Sequence, residues 1–242
     1  MNTRFLLLWL EAPLQSWGVD SKFGRRDSIH FPTKSGVTGL LLCALGASGE
    51  QRELLLKLAS LKQTVISYAR IQESKDDAPH KVDREPLLKD FHMVGSGYDD
   101  NNPWETLLIP KTSDGKKAVG GGTKITYRYY LQDAKFAVLM EVPEESVDLF
   151  AAALQNPAYD LYLGRKNCIP TDFIYQGTFE NEKNALRRAG DIAREKDSLI
   201  EDFRVVDGEQ NDDGETMTLN DVPVRFGEIK RYRDRRVTVI QK

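Results

Sequence analysis

Cysteine and histidine are scarce in this sequence, and long apolar runs are absent. Its 242 residues include two cysteines, Cys43 and Cys168, with no CxxC spacing around them, and only three histidines. A disulfide framework and a structural zinc site are therefore excluded, and we expect a reducing, cytoplasmic setting without metal or cofactor. The longest apolar runs, Phe5 to Leu10 and Leu40 to Leu45, have six residues each. Because a membrane-spanning helix needs roughly 20 apolar residues, we expect no membrane contact.

The composition that remains is that of an ordinary globular protein. Apolar residues make up 40% of the chain, charged residues 29% and aromatic residues 9%. This is enough to build one large domain or two small ones. Basic residues number 34 and acidic residues 37, so the formal net charge is −3. That balance argues against a protein that coats nucleic acid without regard to sequence.

Local charge differs from this mean. Residues 22–34, 111–135 and 225–242 are basic blocks, with four, six and seven cations against one, two and two carboxylates. Residues 180–215 are acidic, with twelve carboxylates against six cations. Each block is either a solvated face of one globule or part of a groove for a polyanion. Aromatic residues and glycines inside two of the basic blocks favour the groove.

Hydrophobic periodicity predicts an alternation of strands and helices up to about residue 180. The run from Thr3 to Ala12 has the length of a buried strand, and Thr33 is placed to cap a helix that ends at Gly46. The other predicted elements are helices at 50–61 and 144–155, and strands at 63–72, 80–95, 123–131 and 134–142. This order is that of a ferredoxin-like, or RRM-like, βαββαβ domain with an inserted hairpin, an α+β fold. After Asn156-Pro157 we expect short strands, then a charged helix at about 181–196 and a basic terminal strand at 228–240.

Sequence motifs for nucleotide hydrolysis and for serine chemistry are missing. The patterns GxxxxGK[ST], GxGxxG and GxSxG have no match in the chain,. His30, His80 and His92 are the only side chains whose ordinary pKa lies near neutral pH. A metal-independent ribonuclease could use His92 or His30 as a base beside a lysine, whereas a simpler interpretation gives the histidines structural roles. The sequence leaves both alternatives open.

The loop before the first helix is the most unusual segment of the chain. Its notable residues are Trp17, Lys22, Arg25, Arg26, His30 and the helix start Thr33, Lys34, Ser35 and Gly36. Free N–H groups at a helix start suit a phosphate, and a tryptophan on an exposed loop offers a stacking surface. Thr33 is explained equally well as a helix cap without a ligand. The coincidence of this cap with the arginines and the tryptophan favours a site for nucleic-acid phosphates.

Two further groups of cations and tyrosines support this interpretation. The first is the turn that contains Tyr162, Gly164, Arg165 and Lys166. Gly164 allows close approach of a phosphodiester there, although a plain basic turn fits the same residues. The second is the strand that contains Lys124 and Arg128, in which alternation places cations on one face and two tyrosines on the other.

Several stretches of the sequence match a known family in order along the chain. They are LEAPLQSWG at 10–18, RRDS at 25–28, FPTKSGVTGLL at 31–41, RYYLQDA at 128–134 and YLGRKNCIP at 162–170. Together they resemble the CasD family, whose members cap the 5′ end of the guide RNA in the type I-E CRISPR surveillance complex, Cascade. The resemblance covers residues 1 to about 180, and its first stretch is long and specific.

The resemblance implies a repeat-associated RNA-binding protein with two parts. Residues 1–180 would form the ferredoxin-like domain with a hairpin thumb at about 80–130, and residues 181–242 a C-terminal β-rich extension with a charged helix. Implied partners are the 5′ handle of the CRISPR RNA, the backbone and large subunits of Cascade, and target DNA through the complex. The thumb would press on the first spacer nucleotides. The acidic 180–215 segment and the long polar thumb are particular to this sequence.

We therefore expect a non-catalytic RNA-binding and assembly subunit in antiviral defence. The residues expected at the RNA site are Trp17, Lys22, Arg25, Arg26, His30, Thr33, Lys34, Ser35, Gly36, Lys124, Arg128, Tyr162, Arg165 and Lys166. One alternative is a metal-independent endoribonuclease that processes CRISPR repeat RNA, as the resemblance implies for relatives in type I-C systems. Another is a protein scaffold without RNA contact.

Overall fold

Helices and strands of a mixed α/β fold make up most of the chain. The computed structural model describes residues 2–18, 21, 24–72, 80–94, 99, 101–107, 109, 111–118, 124–196, 199–210 and 214–242. The strands are β1 (Thr3–Glu11), β2 (Leu14–Gln15), β3 (Arg25–Arg26), β4 (Gln63–Ala69), β5 (Ile71–Gln72), β6 (His80–Lys81), β7 (Leu88–Val94), β8 (Lys124–Gln132), β9 (Lys135–Pro143), β10 (Tyr175–Phe179), β11 (Ile200–Asp207), β12 (Gly214–Arg225) and β13 (Arg231–Gln241). The helices are α1 (Lys34–Ala44), α2 (Arg52–Ala59), α3 (Pro103–Leu107), α4 (Val147–Gln155) and α5 (Glu182–Glu195).

One large sheet lies at the centre of the fold. Its seven strands follow the order β10-β1-β9-β4-β11-β13-β12. Its pairings are antiparallel; β1, for example, runs beside β9 from Thr3 opposite Pro143 to Glu11 opposite Lys135. β11, from the C-terminal part of the chain, pairs with β4. Residues 200–241 therefore continue the sheet that the first half of the chain begins.

The apolar run of β1 is explained by cover on both faces of this sheet. Leu6 and Leu8 belong to the core beneath α1 and α4, whereas Leu7 and Trp9 belong to a second core beneath α5. Alternation along a strand sends successive side chains to opposite faces, so a strand covered twice is apolar at every position. Full burial of each leucine contributes about 1.5–3 kcal/mol.

Two of the predicted helices, α1 and α5, begin directly after a capping residue. Thr33 is the N-cap of α1, and its side chain accepts a hydrogen bond from the Gly36 N–H. Asn181 caps α5 in the same manner, with its side chain accepting from the Asn184 N–H. No helix in the described part of the chain is long and apolar enough to cross a membrane.

A smaller sheet carries the hairpin that the sequence predicts between 80 and 131. β7 and β8 pair from Leu88 opposite Tyr130 to Val94 opposite Lys124. β8 also pairs with β2 and, in parallel, with the two-residue strand β3, which sets Arg26 opposite Arg128. The basic loop that precedes α1 is thereby attached to the hairpin. This attachment brings together cations that are about a hundred residues apart in sequence.

Candidate nucleic-acid interface

Two surface grooves meet at the turn of residues 164–166. The helix groove, with a volume of about 680 Å³, lies between the start of α1, residues 159–166 and the tip of the β12–β13 hairpin. The hairpin groove, with a volume of about 670 Å³, lies between β7–β8 and residues 164–167. Gly164, Arg165 and Lys166 line both grooves. The two grooves are therefore candidates for one continuous binding surface.

The turn between the grooves is held by main-chain hydrogen bonds and two buried side chains. The Leu163 N–H donates to the Cys168 carbonyl over 2.8 Å, and the Cys168 N–H donates to the Arg165 carbonyl over 2.8 Å. Leu163 and Cys168 are both fully buried. These anchors fix the loop that carries Arg165 and Lys166.

Gly164 is required by contact with the protein itself. Its φ is +100°, and a Cβ at this position would lie 1.8 Å from the Ser16 carbonyl oxygen. The Ser16 N–H in turn donates to the Leu163 carbonyl. Contact with residue 16 therefore explains the glycine without a ligand, and the close approach of a phosphodiester to Gly164 stays a prediction.

Alanine at position 164 is expected to lower the free energy of unfolding by about 1–3 kcal/mol, because the side chain would strain a left-handed residue and collide with a carbonyl group. Urea unfolding followed by tryptophan fluorescence measures this change. Gly115→Ala is the matched control, since Gly115 has φ +75° but nothing within 4 Å of its Cβ position. Equal destabilisation of the two variants would contradict the role assigned to the Ser16 contact.

Arg165 connects three parts of the interface. Its guanidinium donates to the Arg26 carbonyl over 2.8 Å and to the Tyr129 carbonyl over 3.4 Å. It also stacks over the Tyr130 ring at 4.6 Å, a distance that permits a cation–π interaction,. Because these contacts fix the guanidinium, Arg165 both presents positive charge and holds the turn against β3 and β8.

The remaining predicted cations divide into two groups. Arg26, Arg128 and Lys166 line the hairpin groove. Arg25 is exposed but engaged, since its Nε donates to both Asp27 carboxylate oxygens and its guanidinium lies 4.9 Å from the centre of the Tyr129 ring. The Asp27 hydrogen bond raises the pKa of Arg25.

Of the three remaining predicted residues, the structure describes only Tyr162 in full. Tyr162 lines the helix groove beside Ser35. Lys22 and the side chain of Lys124 lie outside the described residues.

The prediction that Trp17 is an exposed stacking surface is wrong. Its side chain is 1% exposed, and its indole N–H donates to the Gln15 side-chain oxygen over 3.1 Å. The ring packs against Gly36, where a Cβ would lie 2.7 Å from it. Burial of a large aromatic ring therefore explains both the tryptophan and the glycine.

The phosphate site predicted at the start of α1 is occupied by the protein. The Lys34 N–H donates to the Asp221 carboxylate over 2.7 Å, and the Gly36 N–H donates to the Thr33 hydroxyl over 3.1 Å. Thr33 is buried, and Ser35 is half-buried. A carboxylate at a helix start satisfies the same N–H groups and dipole that would hold a phosphate. Asp221 thus replaces the predicted ligand.

Lys34 is also unavailable as a surface cation. Its side chain is 4% exposed, and its ammonium group donates to the Ala59 and Leu61 carbonyls. Asp207 lies 3.8 Å away. Burial lowers the pKa of Lys34, with Asp207 acting in the opposite direction. The prediction that Lys34 contacts RNA is therefore corrected to a structural role at the base of α1.

The two candidate histidines occupy different surroundings. His30 is exposed and lines neither groove, and its carbonyl accepts a hydrogen bond from Arg84. Partial burial of the imidazole ring, and then the charge of Arg84, lower the pKa of His30. His92 lines the hairpin groove, and its Nδ1 is buried without a hydrogen-bond partner in the part of the chain that the structure describes. Only His92 is therefore positioned beside the clustered cations.

Sequence reasoning missed part of the helix groove. Phe226, Lys230 and Tyr232 line it beside the predicted turn, across from Tyr159. The basic block 225–242 was the available signal, but charge counting does not show which cations face a groove. Within the described part of the chain, no cluster of His, Cys, Asp and Glu could hold a metal ion.

The chain is similar in sequence to known CRISPR-associated proteins. Residues 5–238 match the family described as "CRISPR-associated protein (Cas_Cas5)". The chain is 32% identical over 178 residues to the Escherichia coli (strain K12) protein named "CRISPR system Cascade subunit CasD". That match covers 72% of this chain and 70% of the relative.

Solved structures resemble the whole fold. A chain from a structure described as "CRISPR RNA-guided surveillance complex" is 25% identical, with a TM-score of 0.68 over 98% of this chain and 90% of that chain. A second, described as "Crystal structure of Cas protein", is 23% identical, with a TM-score of 0.53 over 98% of this chain and 95% of that chain. The second likeness concerns the fold alone.

Proposed function

The chain belongs to the Cas5 family of CRISPR-associated proteins, and we propose that it binds the 5′ handle of the CRISPR RNA as a subunit of a type I-E Cascade surveillance complex. The observation that carries this proposal is the convergence of Arg26, Arg128, Arg165 and Lys166 on two grooves that share one turn. These cations come from β3, β8 and the turn, so only the folded chain brings them together. Clustered arginine and lysine side chains hold and orient an RNA backbone through its phosphates.

The proposal includes a ferredoxin-like arrangement for residues 1–180. The strand order β10-β1-β9-β4, with α1 and α4 in the two crossovers, supports it because this is the order of an antiparallel βαββαβ sheet,. Within it, β7–β8 would be the thumb. Residues 181–242 would be the C-terminal extension.

The thumb has one polar face and one apolar face, and this difference supports a separate RNA contact for each face. Asp90, His92 and Arg128 face the hairpin groove. Phe91, Met93, Ile125 and Tyr127 are exposed, and the rings of Phe91 and Tyr127 lie 5.6 Å apart. Alternation along paired strands produces this division. We propose that the polar face holds the handle and that the apolar face meets the first spacer nucleotides.

The remaining proposed contacts follow from membership of the complex. The backbone and large subunits of Cascade would bind this chain around the handle, and target DNA would reach it through the assembled complex in antiviral defence. The proposed role is non-catalytic binding and assembly.

One observation favours a second candidate, a metal-independent ribonuclease. His92 lines the hairpin groove beside Arg26, Arg128 and Lys166, and its buried Nδ1 has no hydrogen-bond partner among the described residues. A histidine base and nearby cations are the groups that cleavage at a 2′-hydroxyl requires.

Incubation with RNA in EDTA separates the two candidates. The full chain is mixed with the repeat RNA of its own CRISPR array, and binding and cleavage are followed on gels. Handle binding predicts intact RNA in the complex and at least tenfold weaker binding of RNA that lacks the handle. A discrete cut that disappears in His92→Ala would establish the ribonuclease instead. If neither binding nor cleavage is observed, a protein scaffold without RNA contact remains as the explanation.

A further inference from the structure

The tip of the β12–β13 hairpin forms the second wall of the helix groove. Phe226, Lys230 and Tyr232 line the groove from this side, and Tyr159, Tyr162 and Lys166 line it from the other. The two walls lie at least 60 residues apart in sequence. This C-terminal element has no counterpart among the residues assigned to the RNA site above.

The hairpin tip is anchored rather than projecting loosely. The Phe226 N–H donates to the Glu50 carbonyl over 3.1 Å, and the Arg225 guanidinium lies 3.5 Å from the Glu50 carboxylate. Arg225 also donates to the Ile229 carbonyl over 2.8 Å, which closes the tip on itself. The wall is therefore held in place before any ligand binds, which lowers the entropy lost on binding.

Charge in the helix groove is of one sign. Arg165, Lys166 and Lys230 line it, and no carboxylate does so among the described residues. This contrasts with the net charge of −3 for the whole chain. Lys166 and Lys230 form no ion pair within the described part of the chain. A groove with unopposed cations and no carboxylate is suited to phosphates.

Aromatic rings face this positive groove. The Phe226 and Tyr232 rings lie 6.4 Å apart with an interplanar angle of 69°, an edge-to-face pair. Tyr159 is 62% exposed at the opposite wall. Burial raises the pKa of Tyr232, so its hydroxyl group stays protonated and adds no negative charge. Exposed aromatic rings beside cations are how proteins bind unpaired nucleotides.

We propose that the helix groove binds one unstacked nucleotide of the RNA handle, with its base against the Phe226–Tyr232 pair and its phosphates on Lys166 and Lys230. This inference rests on the proposed function and adds the C-terminal hairpin to the RNA site. The groove volume of about 680 Å³ is large enough for a nucleotide,.

Fluorescence of 2-aminopurine tests the base contact. The probe is placed at each handle position in turn, and the RNA is bound to the full chain. Stacking quenches the fluorescence of 2-aminopurine. At one handle position we therefore expect lower fluorescence when the RNA is bound to the parent protein than when it is bound to Tyr232→Leu. Tyr232→Phe is the matched control because it keeps the ring, and it should quench as the parent does. Loss of the ring should weaken binding about 5- to 100-fold.

Lys230 and Cys43 provide independent readouts. Lys230→Ala is expected to weaken handle binding about tenfold or more, as loss of one charged contact does, whereas Lys242→Ala should leave binding unchanged. Cys43 lines the groove, and Cys168 is fully buried. Bound handle RNA is therefore expected to slow alkylation of Cys43 by iodoacetamide.

The outcomes separate this inference from the proposed function. The nucleotide site is overturned, and handle binding stands, if the parent chain binds RNA but three results are negative. These are normal quenching with Tyr232→Leu, normal binding by Lys230→Ala, and no protection of Cys43 from alkylation. If the parent chain does not bind handle RNA at all, both fall together.

Discussion

Asp221→Ala is expected to destabilise the folded protein by about 3–5 kcal/mol, because it removes one partner from a buried ion pair. Asp221 is 1% exposed. Its two oxygens accept from the Arg235 guanidinium over 2.7 and 2.8 Å, and one of them also accepts from the Lys34 N–H. The variant therefore leaves a buried cation short of a partner and an amide at the start of α1 without one.

This carboxylate joins the C-terminal strands to the first helix. The pairing of β12 with β13 shifts register between Asn220 and Val222, which leaves Asp221 at a bulge. A bulge redirects a side chain, here toward α1. Burial by itself lowers the pKa of Arg235, but Asp221 and Asp207 raise it overall, so the guanidinium stays charged. Asp207 remains beside Arg235 in the variant, although it does not reach the α1 amide.

Urea unfolding of Asp221→Ala and Asp234→Ala measures this effect. Asp234 is an exposed carboxylate on the same hairpin whose hydrogen-bond partner is Asn220. Its loss should change the free energy of unfolding by less than about 0.5 kcal/mol. Similar values for the two variants would show that the buried network does not stabilise the fold.

The double variant Arg26→Ala/Lys166→Ala is expected to bind handle RNA at least about 100-fold more weakly than the parent. Each charged contact contributes about 1.5–3 kcal/mol, and about 1.4 kcal/mol corresponds to a tenfold change. Both side chains are exposed, and both line the hairpin groove. Their replacement should therefore reduce RNA binding without unfolding the protein.

Salt titration adds a second readout for this variant. Loss of two phosphate contacts should reduce the slope of log affinity against log salt concentration by about two. Lys183→Ala/Arg187→Ala is the control, since it removes the same charge from exposed positions of α5, which covers the other face of the large sheet. Equal losses in both variants would indicate attraction by overall charge and would contradict a site at the turn.

Local sequence patterns were sufficient for the main elements of the fold. The apolar run of β1 and the Thr33 cap of α1 were both predicted, because strand alternation and helix capping depend on neighbouring residues. The β7–β8 hairpin was predicted from two extended segments for the same reason. These features depend on interactions between residues close in sequence, or on a hydrophobic periodicity that is visible along a single helix or strand.

Burial of individual polar and aromatic side chains was not predictable in this way. Trp17 lies in a loop with polar neighbours, yet the packing of Gly36 and Gln15 encloses it. Lys34 stands in a basic block, yet carbonyls from the end of α2 surround its ammonium group. Both enclosures depend on where other elements pack.

The sequence by itself determined the family resemblance, the main helices and strands up to about residue 180 and the residues of the basic turn at 164–166. Only the tertiary structure decided which cations form the interface. Asp221 is 187 residues from the Lys34 amide that it binds, and Lys230 reaches the helix groove through a hairpin at the end of the chain. The physical reason is that charge acts through space. A block of charge along the chain becomes a binding surface or a buried ion pair according to what the fold places opposite it.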